Sequence, residues 1–291
     1  MKVLVLGGTG MLGRPVVERL CADGRQVRVM SRRPEAARGL FGEAVEIVAG
    51  DASDAHRLDA ALDGVDAVHM SLRGTNTLAS YERNELGVVR QVADRAHGAG
   101  VKRLSYVSGA GRLSQFTHLP IIKLKVAAED ALKSVRTPYT IFRPTHFMES
   151  LPLFIRGGRA TIIGDQPHAL HYLAASDFAA MVSRALGEPD AEAHTFTVHG
   201  PEAYTMREAL EIYVRWCAPG TPIGTAPPPI LRAVAAVTFN RDLSFATRLF
   251  ETFREVGEAG YAAPANALLG APKTSLEGWC RARCGGPAND Q

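Results

Sequence analysis

Residues 1–20 read MKVLVLGGTGMLGRPVVERL, and this stretch decides the fold. An apolar run, Val3-Leu4-Val5-Leu6, leads straight into glycines at 7, 10 and 13, and these open an amphipathic helical pattern over 11–22. In a strand–turn–helix unit each glycine has a task. Gly7 permits the tight turn, Gly10 lets a pyrophosphate approach the backbone, and Gly13 lets the helix pack closely on the strand. The phosphate meets free N–H groups and the positive dipole end at the helix N-terminus. A glycine triplet alone is weak evidence. Its place between a strand and a helix gives it weight.

Working outward, the next strand, 26–31, ends in Ser31-Arg32-Arg33. A site for NAD(H) usually carries Asp or Glu there, to bond the ribose 2′-hydroxyl. Two guanidiniums and a hydroxyl suit a 2′-phosphate instead, because arginine offers phosphate a planar fork of donors. NADP(H) is therefore expected over NAD(H), although solvated loop arginines are common. Asp51, in the Val-Ala-Gly-Asp turn after strand 45–49, would flank the adenine side.

The alternation continues. Strands are expected at 2–6, 26–31, 45–49, 66–70, 103–107 and 139–143, with helices at 11–22, 55–62, 81–97 and 121–134. Strands alternating with helices predict parallel pairing through right-handed crossovers. Their nearly unbroken apolar character fits a sheet buried on both faces. The expected fold is α/β, a Rossmann-type doubly wound parallel sheet over residues 1–145. After Pro144 short strand-like pieces (160–163, 171–174, 195–198) mix with helices at 176–186 and 206–216. A Pro/Gly-rich connector, 218–229, precedes an amphipathic stretch over 230–256. Residues 146–291 read as a smaller, mixed substrate-side lobe with a helical C-terminal part.

Composition narrows the partners. A net charge of +3 with scattered basic residues argues against nucleic acid as the main ligand. The apolar content of 46% supplies an ordinary core. No run is long enough for a membrane span or an export signal, so a cytoplasmic protein is expected. Cys21, Cys217, Cys280 and Cys284 show no disulfide framework or zinc spacing and read as free thiols, and no metal is expected. His168 and His171, an odd number apart in a strand, point to opposite faces and are poor ligands for one ion.

GGTGMLG, VAGDASD, YVSGAG, KVAAEDALK, PYTIFRPTHFMES and the later SDF together resemble the atypical short-chain dehydrogenase/reductase family, in particular its NmrA-like branch. The resemblance covers about residues 1–210. It implies that Gly7, Thr9, Gly10, Met11 and Leu12 cradle the pyrophosphate and that Arg32 serves the 2′-phosphate. Ser71 and Leu72 would lie along the ribose, with Val107 and Ser108 on the nicotinamide side. Pro144, Thr145, His146 and Phe147 would border the nicotinamide pocket.

One departure bears on chemistry. The superfamily's usual Tyr-x-x-x-Lys, aligned on Lys125, puts Ile121 at the tyrosine position, and isoleucine cannot exchange a proton. Lys125 is a candidate to hold the nicotinamide ribose or act as an acid, against the alternative of an i,i+4 partner for Glu129. Ser108 is a candidate to bond a carbonyl substrate, or simply to satisfy its turn. His118 and His146 could supply protons but suit polar-loop or packing roles better. Phe147, Met148, Leu151 and Phe154 serve as core or pocket wall. The expected function is hydride transfer from NADP(H) to a small apolar acceptor such as a quinone or enone, which needs less acid help than a ketone. The alternatives are a non-catalytic NADP(H) sensor acting through a protein partner and, ranked lower, an epimerase or dehydratase. A small-molecule substrate is expected, with homo-oligomers an open alternative and membranes and nucleic acid excluded.

Overall fold

The computed structural model describes residues 1–75, 77–109 and 113–285. Its centre is a parallel sheet of β1 (Lys2–Leu6), β2 (Gln26–Ser31), β3 (Val45–Ala49), β4 (Ala67–Met70), β5 (Arg103–Val107) and β6 (Tyr139–Pro144), completed by the strand His194–Val198. Across the sheet the order is His194–Val198, β6, β5, β4, β1, β2, β3. The order reverses between β1, which pairs with β2 on one side, and β4 on the other. That reversal opens the crevice at the carboxyl ends of the strands where ligands of such sheets sit. The doubly wound α/β fold is as expected.

Side-chain alternation builds two cores from one strand. Val3 and Val5 pack with α1 (Gly13–Ala22) and the helix Ala175–Gly187, whereas Leu4 and Leu6 pack with α3 (Ala55–Leu62) and the helix Val88–Ala96. Period two along a strand puts neighbours on opposite faces, so both faces need helices over them.

Four features differ from the sequence reading. The helix α2 (Pro34–Phe41) follows β2, with Pro34 in its first turn. The helix expected over 81–97 is broken into Leu78–Tyr81, a π-turn at Glu82–Gly87, and Val88–Ala96. The strand His194–Val198, read as a piece of the lobe, pairs in parallel with β6 and ends the main sheet. Cys217 and Cys284 are joined by a disulfide, and only Cys21 and Cys280 are free. The pairing was invisible in sequence because 67 positions separate the two cysteines. The helices Met206–Cys217 and Leu276–Cys284 bring their C-terminal ends together.

The lobe stands over the sheet's carboxyl edge. Leu170–Leu173 pairs in parallel with His146–Phe147 and antiparallel with Glu202–Tyr204. Arg159–Ile163 joins Ile155–Arg156 and Ile223–Ala226 in another small sheet. Two helices that pack on each other, Pro228–Val237 and Arg241–Val256, complete it.

Candidate cofactor and active site

Two glycines close the turn after β1. Gly7 has φ +80°, and a Cβ there would stand 2.2 Å from the Ser71 carbonyl oxygen. A Cβ on Gly13 would stand 2.2 Å from the carbonyl oxygen of Gly7. A loop this tight offers a ligand its backbone. The helix that follows has no side-chain cap and no acidic residue in its first turn, so its leading N–H groups are not matched by side-chain acceptors. An anion needs that arrangement, and the residues present fit a dinucleotide pyrophosphate.

At the end of β2 the Ser31 hydroxyl oxygen accepts the Arg33 backbone N–H at 3.1 Å. The Arg32 side chain is 67% exposed and lies 3.9 Å from Asp51. Partial burial would raise the Asp51 carboxyl, but hydrogen bonds from Ser53 and the Arg32 charge outweigh it and hold the group below its ordinary range.

From this loop a cavity of about 960 Å³ runs under the lobe. Met11, Leu12, Gly10, Ser71, Leu72, Val107, Ser108, Lys125, Pro144, Thr145, His146 and Phe147 all line it. Gly7, Thr9, Ser31, Arg32, Arg33 and Asp51 lie off it, in the glycine turn and beyond the ends of β2 and β3. Within the YVSGAG motif, Ala110 and Gly111 lie outside the described residues. The far wall was not foreseen. Leu231, Leu243, Phe245, Leu249, Phe250 and Phe253 come from the two lobe helices and make it apolar. The amphipathic pattern over 230–256 was the available signal, but pattern alone does not say which surface it covers.

Lys125 and Ile121 share the cavity wall one turn apart on the helix Pro120–Lys133. Lys125 is not the partner of Glu129. Its Nζ lies 2.5 Å from Glu85 Oε1, and that oxygen also accepts the Tyr106 hydroxyl at 2.5 Å. Glu129 is buried and matched by other groups: Arg143 binds both its oxygens, Lys133 lies at 3.1 Å, and the Ser108 hydroxyl donates to it at 2.7 Å. With its proton committed to Glu129, Ser108 offers the cavity lone pairs rather than a donor. Burial would raise Glu129, yet these donors outweigh it and hold the carboxyl low.

Ser71 belongs to a buried ladder. His69 Nε2 lies 2.8 Å from Ser71 Oγ, and His69 Nδ1 lies 2.8 Å from Ser105 Oγ. Complete burial pushes the imidazole down to about 3, so it is neutral. His146 is pushed down to about 4 by the same cause, and its ring meets Tyr172 edge-on at 5.3 Å. His118 instead sits at the exterior, 2.9 Å from Glu255.

His171, His199 and Glu258 gather beside the cavity, their ligand atoms within 4.8 Å of one another. His171 Nδ1 is 2.5 Å from Glu258 Oε1 and His199 Nδ1 is 3.6 Å from it. The two rings are stacked, 4.7 Å between centroids and 15° between planes. A metal lies near the plane of every imidazole that binds it, and parallel stacked rings share no such point. The trio is a carboxylate clasp that ties the segment after Arg241–Val256 to the strands beneath.

The sequence matches the family described as NAD(P)H-binding over residues 7–189. It is 35% identical over 211 residues to the (4-alkanoyl-5-oxo-2,5-dihydrofuran-3-yl)methyl phosphate reductase of Streptomyces griseus, covering 71% of this chain and 70% of that one. It is 24% identical over 242 residues to the photosystem II assembly factor Ycf39 of Trieres chinensis, covering 81% and 76%. Among solved structures it is similar in fold to the NADPH-dependent quinone oxidoreductase of Escherichia coli complexed with NADPH. The TM-score is 0.75, the identity 21%, and the coverage 97% of this chain and 99% of that one. The family resemblance drawn from the motifs is borne out, and the chain belongs to the NAD(P)H-binding family.

Proposed function

We propose that this protein is an NADPH-dependent reductase of the NmrA-like kind, passing a hydride to a small apolar acceptor with a quinone or enone group. The observation that carries the reading is the cavity, apolar on its far wall and continuous with the phosphate loop. A module that only reported cofactor state would need no room beside the nicotinamide. The reduced nicotinamide supplies the hydride when bound. The chain's own part is to hold it and the acceptor together and exclude water. Met11 and Leu12 would border the pyrophosphate, Ser71 and Leu72 the ribose, and Pro144, Thr145 and Phe147 the nicotinamide. Ile121 offers no proton, which suits acceptors that stabilise negative charge themselves.

Arg32, with Ser31 and Arg33 beside it, supports NADPH over NADH. Similarity to proteins named as a quinone oxidoreductase and as a reductase of an oxo-dihydrofuran supports the acceptor class. We place the division between cofactor unit and substrate lobe near residue 145, and the protein in the cytoplasm. Among the described residues no helix is long and apolar enough to cross a membrane.

The test is a titration with NADPH and NADH followed by a screen of quinones, enones and aldehydes for NADPH oxidation. NADPH should bind about ten- to a hundredfold more tightly than NADH, the worth of one charge-assisted contact, and quinones or enones should turn over. Tight NADPH binding with no multiple turnover of any acceptor would overturn the reductase reading.

A further inference from the structure

The segment 78–96 presents Leu86, Val88, Val89, Val92, Ala93 and Ala96 to the core, and among them it buries one carboxylate, Glu85, only 3% exposed. The residue sits in the π-turn Glu82–Gly87, a widening of the helix that recurs at functional sites. Its Oε1 is shared by the Lys125 ammonium and the Tyr106 hydroxyl, each at 2.5 Å. Its Oε2 has no hydrogen-bond partner among the described residues. A carboxylate buried this deeply needs a cation beside it, and the pairing fixes the position of both groups. Lys125 lines the cavity one turn from Ile121, where a proton-donating tyrosine is lacking.

We propose that Glu85 is a positioning residue: its ion pair fixes the Lys125 ammonium in the cavity wall, so that the site stabilises an anion beside the nicotinamide and does not donate a proton to it. This rests on the reductase reading above and refines its acceptor class. The acceptor takes a hydride, one hydrogen and two electrons, from the reduced nicotinamide, which becomes oxidised. The resulting enolate or hydroquinone anion is held by the fixed charge of Lys125. Its remaining proton comes from water, and Lys125 keeps all three of its own. Acceptors that delocalise the new charge are favoured. Simple ketones, whose alkoxide needs a proton as it forms, are not.

The groups around the Lys125 ammonium are Glu85 from the π-turn, Tyr106 from β5 and, one turn along its own helix, Glu129, already matched by Arg143 and Lys133. Arg73 lies elsewhere on the cavity wall. Burial, with Glu85 beside it, pushes the Tyr106 phenol up, so it remains a donor to Glu85.

The experiment follows Lys125 itself by NMR of protein carrying ¹³C at lysine Cε, the signal assigned by its loss in Lys125→Arg. In the wild type the Lys125 signal should stand apart from those of the exposed lysines, and in Glu85→Gln it should move toward them, with Glu85→Asp between the two. With a quinone acceptor, Glu85→Gln should lower kcat/KM by about tenfold, mostly in kcat, and Glu85→Asp should restore part of it. A wild-type Lys125 signal among those of the exposed lysines, or one left in place in a folded Glu85→Gln, would overturn the proposal. The wild-type spectrum needs neither a variant that folds nor an acceptor that reacts. It therefore separates failure of this proposal from failure of the reductase reading.

Discussion

Gly10 and Gly13 stand three residues apart and approach the same Gly7 carbonyl to different degrees. A Cβ on Gly13 would run into the Gly7 carbonyl at 2.2 Å, whereas one on Gly10 would meet only that same oxygen, at 3.2 Å. The first conflict is backbone against backbone, so relief requires the loop to move. Gly13→Ala should lower the stability of the ligand-free protein by about 1–3 kcal/mol, as overpacking does. Gly10→Ala should leave thermal stability close to wild type and weaken NADPH binding by about tenfold or more, because the methyl occupies the path of the pyrophosphate. Thermal denaturation with and without NADPH checks both. Equal losses of stability in the two variants would show that the glycines do not have separate tasks. At this scale the sequence was informative where chemistry follows from local spacing, as in the loop. It was silent where partners come from distant strands. Lys125 looked like a match for Glu129 at i,i+4, and only the fold brings Glu85 to it, from the π-turn Glu82–Gly87.

Neighbouring strands share a buried polar rung, and it gives the sheet a pH limit. His69 on β4, held between Ser71 and Ser105, is neutral in the fold because burial pushes its imidazole down to about 3. In the unfolded chain it would titrate at about 6.5. Since the folded value is the lower one, the unfolded state takes up the proton first. Stability is therefore intact above about pH 6.5 and is lost as pH falls toward 3. At pH 5 the loss from this one group is about 2 kcal/mol. Urea unfolding at pH 7 and pH 5 should show a smaller decline for His69→Asn than for the wild type. Identical pH slopes would remove His69 from the account. The strands themselves were readable because each is a short, nearly unbroken apolar run: β1, β2, β3 and β5 begin and end where their sequences predict. α2 was missed because it is only eight residues long and buries only Ala37, too little apolar surface to stand out from a loop. The strands of the lobe are two to five residues long and, apart from the hairpin of Ile155–Arg156 with Arg159–Ile163, pair across wide gaps in the chain, so local periodicity could not set their neighbours.

In the molecule as a whole, the lobe is held to the sheet at several separate points. The Glu258 clasp is one. The Cys217–Cys284 bridge is another kind of tie, since the 67 positions it spans include both helices of the cavity's far wall. Cross-linking a loop of that length removes about 4 kcal/mol of unfolded-state freedom in the chain-entropy picture. Reductant should lower the thermal midpoint of the oxidised protein, and Cys217→Ser should be insensitive to reductant. A midpoint indifferent to reductant in the wild type would mean that the bridge does not constrain the unfolded chain. The chain leaves the sheet after β6, builds half of the lobe, and returns to lay His194–Val198 along β6. During synthesis the β6 edge, with its unpaired backbone groups, must wait for some fifty more residues before its neighbour emerges, at roughly 5–20 residues per second. For those seconds the nascent protein carries an open strand edge, the kind of surface that chaperones shield and that other chains can join.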